Sequence, residues 1–92
     1  MNFIKKMVNQ LLKTGLQAKA FQGSPVNQLQ LSEMLLQESQ YLEAYLWADV
    51  AYFQGIEEAG LIKNKALNLM PLEEKSIAFA QAQEYRKKYS RA

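Results

Sequence analysis

Between Tyr41 and Phe53 almost every residue is apolar or aromatic, in the run Tyr-Leu-Glu-Ala-Tyr-Leu-Trp-Ala-Asp-Val-Ala-Tyr-Phe. That run constrains the fold more than any other feature of the chain. A helix apolar on all sides has to be buried on several sides. With about 3.6 residues per turn, Tyr41, Tyr45, Ala48 and Tyr52 form one stripe, and Ala44, Ala48 and Ala51 form a neighbouring strip of small residues. Small residues let a second helix approach closely. Two neighbours on different sides are what a stack of helices supplies, and a lone two-helix hairpin cannot supply them.

The flanking sequence reads as helix as well. Phe3, Ile4, Met7, Val8, Leu11 and Leu12 follow the spacing of one helical face, so a first helix is expected to run to Phe21. Thr14-Gly15 is its weak point, because a mid-helix glycine costs about 1 kcal/mol relative to alanine. Gly23-Ser24-Pro25 should end it, with Gly23 at a left-handed C′ position, Ser24 as a cap and Pro25 in the first turn of the next helix. A second helix is expected from about Pro25 to Glu38, and a third from about Gln40 to Gln54, stopped by Gly55. A fourth should cover about Glu57 to Leu69 with its acids in the first turn. Pro71 forces a boundary before a fifth that opens on Glu73 and Glu74 and closes among Arg86, Lys87 and Lys88, the charge order a helix dipole favours.

With 92 residues there is room for one modest core. A domain of that size buries about 60–65% of its unfolded surface. Hydrophobic residues make up 49% and charged ones 22%, a globular balance. Only two prolines and four glycines are present, too few turn formers for a many-stranded sheet. There is no cysteine and no histidine. Disulfides, thiolate nucleophiles, histidine triads and histidine–metal centres are therefore excluded. No metal or other cofactor is expected, and the chain reads as a non-enzyme.

The net charge of +2 hides a strong segregation. Lys5, Lys6, Lys13 and Lys19 lie in the first helix with no acid among them. From Ala20 through Ile62 there are six acids and no base, and the tail is basic again at Arg86, Lys87, Lys88 and Arg91. Lys5 and Lys6 resemble the charged start of a secretory signal, but Asn9, Gln10 and Lys13 interrupt the apolar stretch that should follow, so a cytoplasmic location is expected. A start at Met1 placed after a removed signal stays open as an alternative. No apolar run reaches the roughly 18 residues needed to cross a bilayer.

An internal repeat is also visible. Phe21-Gln22-Gly23 recurs as Phe53-Gln54-Gly55, an offset of 32 residues that also aligns Leu29 with Leu61 and Leu35 with Leu67. Ala44, Trp47, Ala51, Gly55 and Ala59 fall in register on the pattern A-x-x-W-x-x-x-A-A-x-x-G-x-x-x-A, in which Tyr52 replaces a second small residue. The chain here resembles the Sel-one-like repeat, a relative of the tetratricopeptide repeat. Met70-Pro71-Leu72-Glu73-Glu74 with Ala80 and Ala82 is similar to the closing helix of bacterial members. The resemblance spans about residues 16–85.

What the resemblance implies is an all-α chain of about five helices, in antiparallel hairpins stacked as a short right-handed solenoid used for protein–protein contact. Repeat-like units would cover about 8–39 and 40–70, with a closing helix over about 72–89. The family's pattern brings no catalytic residues with it.

The partner is expected to be a protein or peptide, bound through the helical-repeat surface. Tyr41, Glu43, Tyr45, Asp49 and Tyr52 are the candidate contact residues, aromatic and acidic side chains within the acidic middle stretch. Asp49, the only aspartate, stands among apolar neighbours, which suits an interhelix hydrogen bond or a partner-facing charge better than an acid catalyst. Trp47 is expected in the core. Two alternatives stay open: an inhibitor or immunity-type protein that blocks one target, and contact with a membrane surface through the basic first helix. Packing of that helix onto the array is the main expectation for it. Nucleic acid fits poorly, because the stacking aromatics lie in the acidic stretch rather than among bases.

Overall fold

The computed structural model describes residues 2–91; Met1, and with it the question of the start, lies outside them. The chain forms five α-helices: α1 (Asn2–Phe21), α2 (Pro25–Gln37), α3 (Tyr41–Phe53), α4 (Ala59–Leu69) and α5 (Leu72–Tyr89). No strand occurs among the described residues.

The turns are built from the residues that the local rules single out. Gly23 and Gly55 take φ of +95° and +106°, the left-handed conformation that glycine adopts without steric cost. Each is followed by the same closure: Ser24 N–H donates to Lys19 C=O at 3.2 Å, and Ile56 N–H to Ala51 C=O at 3.0 Å. That six-to-one bond is the Schellman closure. A third copy ends α2, where Gln40 N–H reaches Leu35 C=O at 2.9 Å and Ser39 holds φ of +61° without being a glycine.

Some local expectations change. α1 passes through Gly15 without a break, and Thr14 Oγ1 donates back to Gln10 C=O at 2.9 Å. Ser24 precedes α2 but does not cap its backbone; its hydroxyl donates to Asn27 Oδ1 at 2.6 Å. Glu57 and Glu58 precede α4 rather than filling its first turn. Three i→i+3 bonds, from Ala59, Gly60 and Leu61, form a tight turn there and delay the α-helix to Ala59. Met70 is extended, as a residue before proline tends to be.

α3 is the hub, flanked by α2, α4 and α5. The side-chain pairings give the directions. Gln54, just past the end of α3, donates to Gly23 C=O and to Gln28 near the start of α2, so those helices are antiparallel. Asp49 pairs with Lys63 while Tyr52 lies beside Gly60, so α4 is antiparallel to α3 too. Tyr45 meets Phe79, Asp49 meets Arg86 and Gln54 meets Arg91, in ascending order on both helices, so α5 is parallel to α3. α2 and α4 therefore run the same way, and they touch each other.

Eight consecutive residues of α3, Ala44 through Ala51, are buried. Ala48 and Ala51 pack on Ala59 and Ile62 of α4, where the absence of bulk permits close approach. On another side Trp47, buried at 4% exposure, packs its ring 5.4 Å from Phe21, 5.2 Å from Tyr85 and 4.9 Å from Tyr89. Of the aromatic residues in α3, Tyr45 and Trp47 are buried, Tyr41 is half-buried, and Tyr52 and Phe53 are half exposed. α1 packs on the rest of the molecule through its C-terminal half, where Ala20 is buried, Leu16 lies on the core and Phe21 meets Trp47, while Phe3, Ile4, Met7 and Val8 at its start are exposed.

Candidate functional site

The five candidate contact residues do not form one surface. Tyr41 is half-buried and Glu43 exposed, and both line a shallow hollow of about 400 Å³ with Leu42, Leu69, Pro71 and Glu74. Tyr52 is exposed, three turns further along α3 and on the order of 16 Å away along the helix axis. Tyr45 and Asp49 are interior, at 6% and 0% exposure, and so are withdrawn from contact with any partner. The reason is the neighbouring helices: α4 and α5 cover the side of α3 that the spacing alone leaves unassigned.

Asp49 is the centre of a buried ion cluster. Arg86 approaches it with both arms of its guanidinium, Nε to Oδ2 and Nη2 to Oδ1, each at 2.8 Å. Lys63 Nζ lies 2.8 Å from Oδ1. Burial raises the Asp49 pKa, but the hydrogen bonds from Arg86 and Lys63, helped by their charge, outweigh it and hold the carboxyl below its ordinary value. The bond to Asp49 raises Arg86 in turn. Burial pushes Tyr45 upward, a shift that the Lys63 charge opposes. Lys63 lies over the rings of Tyr45 and Tyr52 at 5.6 and 5.2 Å, and Arg86 over Phe53 at 5.2 Å. Both carboxylate oxygens are engaged by groups from α4 and α5, so the cluster ties three helices together. The sequence carried a signal for it: a lone aspartate in an apolar helix requires a cation, and Lys63 is the first base after the baseless stretch.

A second buried polar group, Gln28, joins the helix ends. Its Nε2 donates to Ala20 C=O at 3.0 Å and to Tyr89 C=O at 2.7 Å, and its Oε1 accepts from Gln54 Nε2 at 2.8 Å. Gln54 Oε1 accepts Arg91 N–H at 2.9 Å. The two glutamines stitch α1, α2, α3 and the end of α5 at one pole of the molecule.

Two surfaces remain open. Between α2 and α4 runs a groove of about 480 Å³ with Leu29, Leu36, Leu61 and Ile62 along it and Glu33, Glu58 and Lys65 on its borders. The second is the apolar face of α1, whose Leu11 and Leu12 line a hollow of about 570 Å³ with Leu16 and with Met34 of α2. Among the described residues no cluster of three or more acids is placed to hold a metal ion, and no helix is long and apolar enough to cross a membrane. Comparison of the chain with family models, curated proteins and solved structures finds no match.

Proposed function

We propose that this chain is a non-catalytic protein-interaction module of stacked helical hairpins that holds a basic, amphipathic segment of a partner protein in the groove between α2 and α4. The observation that carries the reading is the make-up of that groove: four aliphatic side chains with Glu33 and Glu58 exposed beside them. All of its lining except Lys65 lies within the stretch from Ala20 through Ile62 that has no base. A helix laid in such a groove buries its own apolar face and presents its bases to the acids. The right-handed solenoid implied by the Sel-one-like resemblance belongs to this proposal. It is supported by the parallel α3–α5 and α2–α4 neighbours and by the matching closures at Gly23 and Gly55.

A photo-crosslinking residue placed at Leu61, which is 69% exposed, tests the groove directly in the native host. The expected result is a protein adduct that is absent when the crosslinker sits at Lys88. The adduct should weaken with salt, because charge attraction between exposed groups is screened beyond about 8 Å. Glu33→Lys combined with Glu58→Lys should remove it while the helical circular-dichroism signal persists. An adduct indifferent to that charge reversal, or none specific to Leu61, overturns the reading.

A further inference from the structure

The first three turns of α1 carry an exposed apolar surface that meets the rest of the molecule only at Leu11 and Leu12. Phe3, Ile4, Met7, Val8, Leu11 and Leu12 share one face and are 49% to 73% exposed. Leu11 and Leu12 line a hollow with Gln30, Glu33 and Met34 of α2, and Lys13 reaches Glu38 just past the end of that helix at 2.8 Å. The first two turns of α1, at about 1.5 Å per residue, therefore project on the order of 10 Å past the hairpin. Leu16, one turn beyond Leu12 on the edge of this face, packs on the main core, and Ala20 is buried one turn further on. Ahead of Leu11 the face is turned outward, with Phe3, Ile4, Met7 and Val8 at 49% to 73% exposure.

We infer that this overhang is an anchor for an anionic lipid surface, a contact separate from the groove between α2 and α4. The charge pattern selects the occupant. At about 100° per residue, Lys5 and Lys6 border the apolar arc on its two sides. No acid occurs before Glu33. An apolar face flanked by lysines and lacking acids lies in the headgroup layer, with side chains such as Phe and Leu in the acyl boundary and the ammonium groups at the phosphates. The first two turns, which project beyond the hairpin, present Phe3, Ile4, Met7 and Val8 to such a surface. A second copy of the chain is the poorer occupant, because face-to-face pairing sets Lys5 and Lys6 against lysines of the same kind with no acid to offset them.

Sedimentation of the full chain with vesicles tests the assignment. Binding is expected to vesicles of phosphatidylcholine mixed with phosphatidylglycerol, and much weaker binding to phosphatidylcholine alone. Lys5→Glu with Lys6→Glu should lower partitioning at least about tenfold. Ile4→Asp with Leu11→Asp should abolish it. Both double variants should keep the wild-type melting temperature, since these side chains are exposed. No binding to the mixed vesicles, or binding that survives both variants, overturns the inference. So does a concentration-dependent dimer, seen by light scattering, that Ile4→Asp with Leu11→Asp disperses, because the face then belongs to a second copy.

Discussion

At the scale of single residues, Asp49 and Trp47 bear the most. Removing one member of a buried ion pair leaves the others unpaired and costs about 3–5 kcal/mol. Asp49→Ala should therefore lower the urea unfolding free energy by about that much, with Lys63 and Arg86 recovering part of the loss because each is partly exposed. The pH dependence has a definite sign. Since the folded carboxyl lies below the ordinary 3.8, its stabilisation is complete above that value and is lost as pH falls through the lower folded value. The stability gap between wild type and Asp49→Asn should accordingly be full at neutral pH and shrink only in strong acid; a gap that closes already at pH near 5 would contradict the ion cluster. Trp47→Ala removes the ring that Phe21, Tyr85 and Tyr89 pack around. A loss of about 3–5 kcal/mol is expected, read from the shift of the melting curve.

Among elements, the helix ends separate turn geometry from helix propensity. Gly55 meets no neighbouring atom that a Cβ would strike, so its requirement is conformational alone. Gly55→Val should cost about 1–3 kcal/mol through the strained backbone. Gly60 stands inside α4, where alanine is the better helix former by about 1 kcal/mol, but an added Cβ would lie 3.1 Å from Tyr52 Cε1. The tyrosine is half exposed and can yield, so Gly60→Ala should change the denaturation midpoint little. Ser39 offers the converse case. It occupies the third left-handed closure without being a glycine, and Ser39→Gly should raise stability by about 0.5–1 kcal/mol. A destabilised Ser39→Gly protein would mean that the hydroxyl side chain contributes more than its backbone conformation costs.

Across the whole molecule the burial is uneven, and native-state hydrogen exchange should display it. α3, flanked by three helices and buried from Ala44 through Ala51, should exchange only through global unfolding. The overhanging turns of α1 should exchange fastest of all helical amides, since none of their residues is buried. Equal protection of the two would place α1 against the body, contrary to its exposure. The same unevenness separates the interior from the surface: the pole stitched by Gln28 and Gln54 and the Asp49 cluster join the helices, while the groove and the start of α1 stay open.

Local features were legible in the chain itself because their causes are local. Gly23, Gly55 and Pro71 end helices through backbone sterics, and the apolar run of α3 requires burial wherever it sits. The all-helical class, the number of helices and Trp47 in the core follow from those features. Ser39 escaped because a serine in the left-handed region carries no distinctive signal. The candidate site was less legible. Helical periodicity placed Tyr41, Tyr45 and Tyr52 on one stripe, but exposure depends on what covers the stripe, and α4 and α5 bury Tyr45 while leaving Tyr52 half open. The partners of Asp49 come from Lys63 and Arg86, on two other helices, a distance that no spacing rule spans. Nor could the amphipathic pattern of α1 say which part of its apolar face packs and which projects, because α1, at 20 residues, is seven longer than α2, at 13, and only the tertiary structure decides how far each helix overlaps the next.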